Sequence, residues 1–569
     1  MTAAEIREKI IAAVAENGGH LASSLGAVEI AMALAEVFEP EKDRIIWDVG
    51  HQAYAWKILT GRADRFSTIR REGGIAPFPH PAESVADAAV SGHAGVALSV
   101  AEGFAAARDL GAMSGHVVAV VGDGAIANGT SFEALNAAAA SGKVIVVLND
   151  NGMSISKPCG ALSKVFSKLI AGVRYNRIKA AAEAAGHRLR LTPLRGVYHR
   201  LESRIKSWFL GSFYFERFGL RYIGPVDGHN LKALRDVFTV AKEDKRSVLV
   251  HVVTTKGKGY PPAERNPTRW HGVGAFARSG EKPRDWSAAF GEAMVRLGRR
   301  DSRLTALTAA MKDGTGLNGF AREFPDRFFD VGIAEGHMVA FAAGLAAGGM
   351  RPVVAVYSTF LQRAVDQVMH DVAIASLPVV FCVDRAGVVG ADGATHQGVF
   401  DIAMLRCLPN LTICQPCDES ELEALLAEAL ERPGPTVIRY PRGRVPEGFN
   451  IASRRGLAVE VLSPEAEVQI WAAGDQLAKA MELAAATGAG VVYARYLKPF
   501  DGSLLKRQRA EGKRIVSLEN AAVAGGFGEA IGADVKFGWP DRFVPHGETA
   551  ALERSAGLDV KSMTEVLNG

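Results

Sequence analysis

Short runs of β-branched and other apolar residues recur along the chain, separated by Ala-rich stretches with apolar positions at helical spacing. The runs that predict strands are Val117–Val121, Val144–Leu148, Val248–Val253, Val353–Tyr357, Val379–Val383, Val437–Tyr440, Val468–Trp471 and Arg514–Leu518. Strands alternating with helices predict βαβ units around parallel sheets. Three interruptions suggest how the chain is organised. The first runs from Ser163 to about Phe218. Within it, Arg188 to Lys206 holds six Lys or Arg against one Glu, with Thr192-Pro193 and Gly211 as breakers. It reads as a solvated helical excursion, with a mobile cover over an anionic site as the alternative. The second, Ala277–Arg284, is charged, contains Gly and Pro, and reads as a linker. The third lies near Pro446–Arg455. The chain is therefore expected to form three doubly wound α/β domains, at about 1–276, 285–445 and 456–569.

Composition narrows the class. With 48% hydrophobic and 22% charged residues over 569 positions, the chain has material for several buried cores. The formal net charge of +4 is a small excess and does not suggest the concentrated basic face of a nucleic-acid binder. Five cysteines are too few for a disulfide scaffold at this length, so a reducing compartment is expected. Cys414 and Cys417 form a C-x-x-C at what reads as a strand end, and no second pair completes a zinc site. The first residues are mixed-charge and helical, unlike a signal peptide, and no apolar run reaches membrane-spanning length. The expectation is a cytoplasmic enzyme acting on small molecules, with no nucleic-acid or membrane partner.

The most specific chemistry lies around Gly122-Asp123-Gly124, directly after the strand Val117–Val121. The next strand, Val144–Leu148, ends in Asn149-Asp150-Asn151. Asp123 and Asn151 are 28 positions apart, about one βαβ unit, so both fall at the carboxyl ends of neighbouring parallel strands. A carboxylate and an amide carbonyl are hard ligands of the kind Mg²⁺ takes, completed by water and phosphate oxygens. The flanking glycines let a diphosphate approach the backbone, and the helix that follows is expected to aim its N–H groups at the anion. Further on, Glu335 sits at a strand-to-helix turn before the apolar stretch Met338–Ala347. Taken alone it is equally a first-turn carboxylate facing the helix dipole. Tyr357, Arg385 and Arg442 each follow a predicted strand. Two arginines at one mouth suit a phosphate dianion, with buried structural ion pairs as the alternative. His20, His51, His271 and His396 lie in Gly- or Ser-rich turns, where histidines can exchange protons near neutral pH.

The paired G-D-G and N-D-N turns resemble the thiamine-diphosphate motif of the transketolase superfamily. Several longer runs resemble one family within it, the 1-deoxy-D-xylulose-5-phosphate synthases. These are His20-Leu-Ala-Ser-Ser-Leu-Gly, Trp47-Asp-Val-Gly-His51, Tyr222-Ile-Gly-Pro-Val-Asp-Gly-His229, Tyr357-Ser-Thr-Phe-Leu-Gln-Arg363, Asp384-Arg385-Ala-Gly, Gly390-Ala-Asp392-Gly-Ala-Thr-His396 and Tyr440-Pro-Arg442-Gly. The resemblance runs in order from about His20 to the C-terminus. It implies a homodimer of transketolase-like architecture that binds thiamine diphosphate and Mg²⁺, with the first two domains each supplying half of the site. The implied reaction condenses pyruvate with D-glyceraldehyde 3-phosphate, releasing CO₂, to give 1-deoxy-D-xylulose 5-phosphate. This product is a precursor of isoprenoids, thiamine and pyridoxal phosphate.

The same resemblance assigns roles. Glu335 hydrogen-bonds the cofactor's pyrimidine and so favours the tautomer that deprotonates the thiazolium carbon; the carbanion chemistry belongs to the cofactor. His20, His51, His271 and His396 handle protons, and Asp392 orients substrate. Asp123, Asn151 and Met153 hold the metal. His51, Gly92, His93, Ala94, Gly122, Gly124, Ala125, Lys256, Tyr260 and Phe360 line the cofactor. Tyr357, Arg363, Arg385 and Arg442 take the aldehyde's phosphate.

The chain also departs from the family pattern. A Gly-His turn that usually carries hydroxyls is here Gly92-His93-Ala94-Gly95-Val96, so backbone N–H groups are expected to serve in their place. Glu335 is followed by Gly336 where the family has Gln. The segments before His20 and after His271 are short. These changes keep a second reading open, a divergent thiamine-diphosphate carboligase (acyloin synthase or transketolase-like) with another acceptor. A third is a degenerate scaffold without turnover, although Asp123, Asn151 and Glu335 are all retained. The last domain carries no identifiable chemistry.

Overall fold

The computed structural model describes residues 1–138, 142–152, 215–276, 284–446, 448–449 and 456–569. The basic excursion up to residue 214, Met153 and most of both linker segments lie outside the described residues. The chain divides into two compact units, one of Met1–Arg70 with Gly74–Ser279 and the other of Arg71–Gly73 with Gly280–Gly569.

The first unit is built on a five-stranded sheet of β1 (Arg44–Trp47), β2 (Val117–Gly122), β3 (Ile145–Asp150), β4 (Arg221–Asp227) and β5 (Val248–Val253), in the order β1-β2-β3-β5-β4. Every pairing is parallel. β2, β3 and β5 are buried along nearly their whole length, which explains their unbroken Val, Ile and Leu runs: helices cover both faces. The N-terminal helix Ala3–Asn17 opens with a capping box between Thr2 and Glu5 and buries Ile6, Ile10, Ala13 and Val14 on one stripe.

The second unit holds two sheets. The larger contains β6 (Leu304–Thr308), β7 (Phe328–Asp330), β8 (Arg351–Tyr357), β9 (Val380–Asp384), β10 (Thr412–Cys414) and β11 (Thr436–Tyr440), all parallel. The other holds β12 (Ala458–Leu462), β13 (Val468–Ala473), β14 (Gly490–Ala494), β16 (Arg514–Ala522) and β17 (Val535–Trp539). The eight predicted strands are all present, most of them a residue or two longer or shifted at one end. Two pairings depart from the all-parallel expectation. β12 runs antiparallel to β14, and β15 (Tyr496–Lys498) leaves the C-terminal segment to pair antiparallel with β10. An antiparallel partner at a sheet edge needs no crossover helix, so a chain returning from another layer can add one.

No helix among the described residues is long and apolar enough to cross a membrane. Cys414 and Cys417 are buried free thiols pushed up by burial, with Cys414 donating to the Val437 carbonyl.

Candidate functional site

In the first unit, β2 and β3 end side by side, so Asp123 and Asn151 stand just beyond adjacent strand ends. The Asp123 carboxylate accepts from the N–H of Gly124. The helix after it begins only at Gly129, and its Thr130 N–H is taken by the N-cap Asn128, so it is less available to an anion than the sequence suggested. At Gly122, a Cβ would meet nothing within 4 Å. That open face beside a carboxylate and an amide carbonyl fits Mg²⁺ carrying a diphosphate.

The N-D-N turn is braced from below by buried polar groups. Asn149 accepts from the Thr254 hydroxyl at 2.6 Å and donates to Gln52 at 2.7 Å. Asp150 is fully buried. One of its oxygens accepts the Gly152 N–H at 2.9 Å, and the other lies 3.0 Å from His251 Nε2. The carboxylate can accept the Nε2–H, and Nδ1 on the other side of the ring lies 2.8 Å from the Tyr222 hydroxyl.

The altered turn Gly92–Val96 is held by a residue that sequence reasoning passed over. The buried Asp48 carboxylate accepts the Gly95 N–H with both oxygens at 2.9 Å and lies 3.4 Å from the Ala97 nitrogen. Those two N–H groups are therefore committed to Asp48 inside the protein. Gly95 has φ +87°, and a Cβ there would lie 2.5 Å from Asn128 Oδ1. The Ser131 hydroxyl lies 3.0 Å from the Gly95 carbonyl and 2.9 Å from that of Ala125, bridging this turn to the one after Asp123.

His20, His51 and His271, remote in sequence, form one cluster with ring centroids 5.2 to 6.0 Å apart. Burial, followed by the charges of His20 and Lys256, holds His51 well below the ordinary histidine range. His271 is held low by burial, then Lys256 and its two histidine neighbours. His271 Nδ1 is 3.2 Å from the Ser23 hydroxyl. Lys256 is itself buried and pushed down to about 8, with Asp123 opposing the shift. Tyr260 packs edge-on to Trp270 with centroids 5.2 Å apart. His93 is partly buried and Ala94 buried within the turn.

In the second unit, Glu335 opens the helix Glu335–Ala347 and is only 4% exposed. Burial pushes its carboxyl up, and Arg363 opposes this. Arg363, grouped by resemblance with the phosphate residues, thus has its charge close to Glu335. A Cβ on Gly336 would lie 3.1 Å from Gln367 Oε1, so another amide stands beside the position where the family has Gln. Phe360 lies nearly parallel to Tyr357 at 5.7 Å and meets the edge of His396 at 5.5 Å.

Tyr357, Arg385 and Arg442 come together at the carboxyl ends of β8, β9 and β11. The Arg385 guanidinium lies 3.8 Å from the centre of the Tyr357 ring, pairs with Asp384 at 2.9 Å and donates to the Gly314 carbonyl at 2.8 Å. The Tyr357 hydroxyl covers Gly314, where a Cβ would collide with it. Burial raises the Tyr357 phenol, with both arginines opposing. Arg442 is about half exposed and lies 3.6 Å from Asp392.

Comparison with known proteins places these groups in a family. The family model described as 1-deoxy-D-xylulose-5-phosphate synthase matches residues 1–254. The transketolase pyrimidine-binding and C-terminal domain models match 282–447 and 457–563. A 1-deoxy-D-xylulose-5-phosphate synthase 1 of Geobacter metallireducens is 45% identical, covering 99% of this chain and 95% of its own. That of Pelotomaculum thermopropionicum is 46% identical, covering 99% and 93%. Among solved structures, a transketolase from Leishmania mexicana aligns over 100% of this chain and 97% of its own, at 19% identity and a TM-score of 0.47.

Proposed function

We propose, since the chain belongs to the 1-deoxy-D-xylulose-5-phosphate synthase family, that it condenses pyruvate with D-glyceraldehyde 3-phosphate to 1-deoxy-D-xylulose 5-phosphate and CO₂. The observation that carries the choice of acceptor is the group of Tyr357, Arg385, Asp392 and Arg442. Two guanidinium groups and a phenol gathered at strand ends suit the phosphate of a small aldehyde.

Asp123 and Asn151 would hold Mg²⁺, joined by Met153, which lies outside the described residues. The open face at Gly122 would admit the diphosphate, and Gly92, His93, Ala94, Gly124, Ala125 and Lys256 would line it. When bound, thiamine diphosphate supplies the carbon nucleophile and the electron sink for decarboxylation. Glu335, raised by burial, would hold a proton in a hydrogen bond to the pyrimidine, and Phe360 would offer its ring to that heterocycle. Neutral His51 and His271 can each accept and donate a proton. With Nδ1 of His271 beside Ser23, its Nε2 is the atom left to exchange with a substrate oxygen. His20 would complete that group. Asp392 and His396 would orient the acceptor and return a proton to its oxygen.

We read 1–276, 285–445 and 456–569 as three functional parts of a cytoplasmic homodimer. The superfamily resemblance supports the dimer, and light scattering on the purified protein would test it.

The main test incubates purified protein with thiamine diphosphate, Mg²⁺, pyruvate and D-glyceraldehyde 3-phosphate and identifies the product by mass and NMR. The expected product is 1-deoxy-D-xylulose 5-phosphate, with Glu335→Ala lowering kcat by roughly a hundredfold or more. Cofactor binding without that product would move the assignment to a carboligase with another acceptor.

A further inference from the structure

We propose that Asn520 and Gln397 are positioning residues for the acceptor, clamping the loop that carries Asp392 and His396 onto the C-terminal sheet. The proposal rests on the reading that this loop serves the phosphorylated aldehyde.

The loop closes on itself at its base, where Gly387 and Gly398 exchange N–H to carbonyl hydrogen bonds at 2.7 Å in both directions. Inside it, the Gly390 carbonyl accepts from Gly393 at 3.0 Å and the Gly393 carbonyl from His396 at 2.9 Å. These bonds give the loop a shape but do not determine where it stands.

The Thr359 hydroxyl holds the Thr395 carbonyl at 2.9 Å from one side, and the rest of the loop's placement comes from a segment that contributes none of the substrate groups. Asn520 lies on β16, and its Oδ1 accepts the Val388 N–H at 3.1 Å and the Trp539 indole N–H at 2.8 Å. The same carboxamide oxygen is therefore tied to the Trp539 indole as well as to the loop. The loop backbone is pressed against it: a Cβ on Gly387 would lie 2.2 Å from the Asn520 carboxamide carbon. Gln397 makes the second clamp. Its Oε1 accepts the Val389 N–H at 2.7 Å, and its Nε2 donates to the Pro545 carbonyl at 3.0 Å. At the tip, a Cβ on Gly390 would meet the Gly547 carbonyl at 2.9 Å, and one on Gly393 would meet His546 at 3.0 Å.

The clamped loop then presents its chemistry to the rest of the second unit. Asp392 faces Arg442 at 3.6 Å, and the Thr395 hydroxyl sits 2.9 Å from His396 Nδ1. Ordering a loop costs conformational entropy, and displacing a reacting group by about an ångström costs large factors in rate. A carboxamide held by Trp539 meets both demands from outside the site.

The experiment compares Asn520→Ala and Gln397→Ala with the parent holoenzyme. Both variants are expected to raise KM for D-glyceraldehyde 3-phosphate roughly tenfold while KM for pyruvate stays within about twofold. Amide exchange, followed by mass spectrometry without substrate, should accelerate across 388–397 and stay unchanged in β6 and β8. If Asn520→Ala fails to fold, Gln397→Ala, which leaves the C-terminal sheet untouched, carries the same expectation. Equal losses for both substrates, or unchanged exchange in 388–397, would overturn the proposal. If the parent makes no product from this aldehyde, the functional reading fails, and the exchange measurement still decides whether the clamp exists.

Discussion

Burial favours the neutral form of His51 and His271. His51 and His271 sit well below 6.5, so the unfolded chain binds more protons than the folded one once pH falls under that value. Their stability contribution is complete above 6.5 and is lost as pH drops below it. The melting temperature of the cofactor-free protein should therefore fall between pH 7 and pH 5, and a His51→Asn, His271→Asn double variant should flatten that slope. A second expectation concerns the brace under the metal turn. Asp150, His251 and Tyr222 share a chain of hydrogen bonds that ends on Gly152, next to Asn151. Outer partners of metal ligands typically tune affinity by about 10- to 100-fold. His251→Asn and Tyr222→Phe should raise the Mg²⁺ concentration needed for half-maximal thiamine diphosphate binding, read by calorimetry, with smaller effect at saturating Mg²⁺.

Turns are linked to one another in the first unit. The turn Gly92–Val96, the turn after Asp123 and the N-cap at Asn128 form one assembly through Asp48 and Ser131. Gly95 lies at its tightest point, with a positive φ and with Asn128 in the way of any side chain. Gly95→Ala combines backbone strain with overpacking and should cost about 1–3 kcal/mol of stability. Chemical denaturation would read that loss, and titration with thiamine diphosphate should show weaker binding in the same variant. The motif containing Trp47-Asp48 was visible in the sequence as a resemblance. The role of Asp48 was not, because a carboxylate accepting backbone N–H groups 47 and 49 positions away leaves no periodic signature.

At the scale of the second unit, the two sheets are joined by polar groups as well as apolar ones. Arg439, on β11, is almost fully buried. It pairs with Asp401 at 3.1 Å, donates to Gln415 at 2.6 Å and reaches the Asn520 carbonyl on β16 at 3.0 Å. Replacing it with Met would leave the Asp401 carboxylate buried without its counter-charge. Arg439→Met should destabilise this unit by about 3–5 kcal/mol, measured by urea unfolding, and adding Asp401→Asn should recover part of that loss by removing the unpaired charge. β15 crossing to pair with β10 ties the same two layers through the backbone.

The sequence by itself determined the strands, the parallel character of most pairings and the ordered motifs that identify the family. Apolar period and motif spacing are local properties, and a βαβ unit turns 28 positions of sequence into two adjacent strand ends. Only the tertiary structure decided which groups meet. It gathered His20, His51 and His271 into one cluster and assigned Gly95 and Ala97 to Asp48. It placed the charge of Arg363 beside Glu335 and set the C-terminal sheet against the loop of Asp392 and His396. The reason is physical: periodicity reports which face of an element is buried. The partner of a buried polar atom is set by where separate elements cross, and desolvation then shifts its pKa.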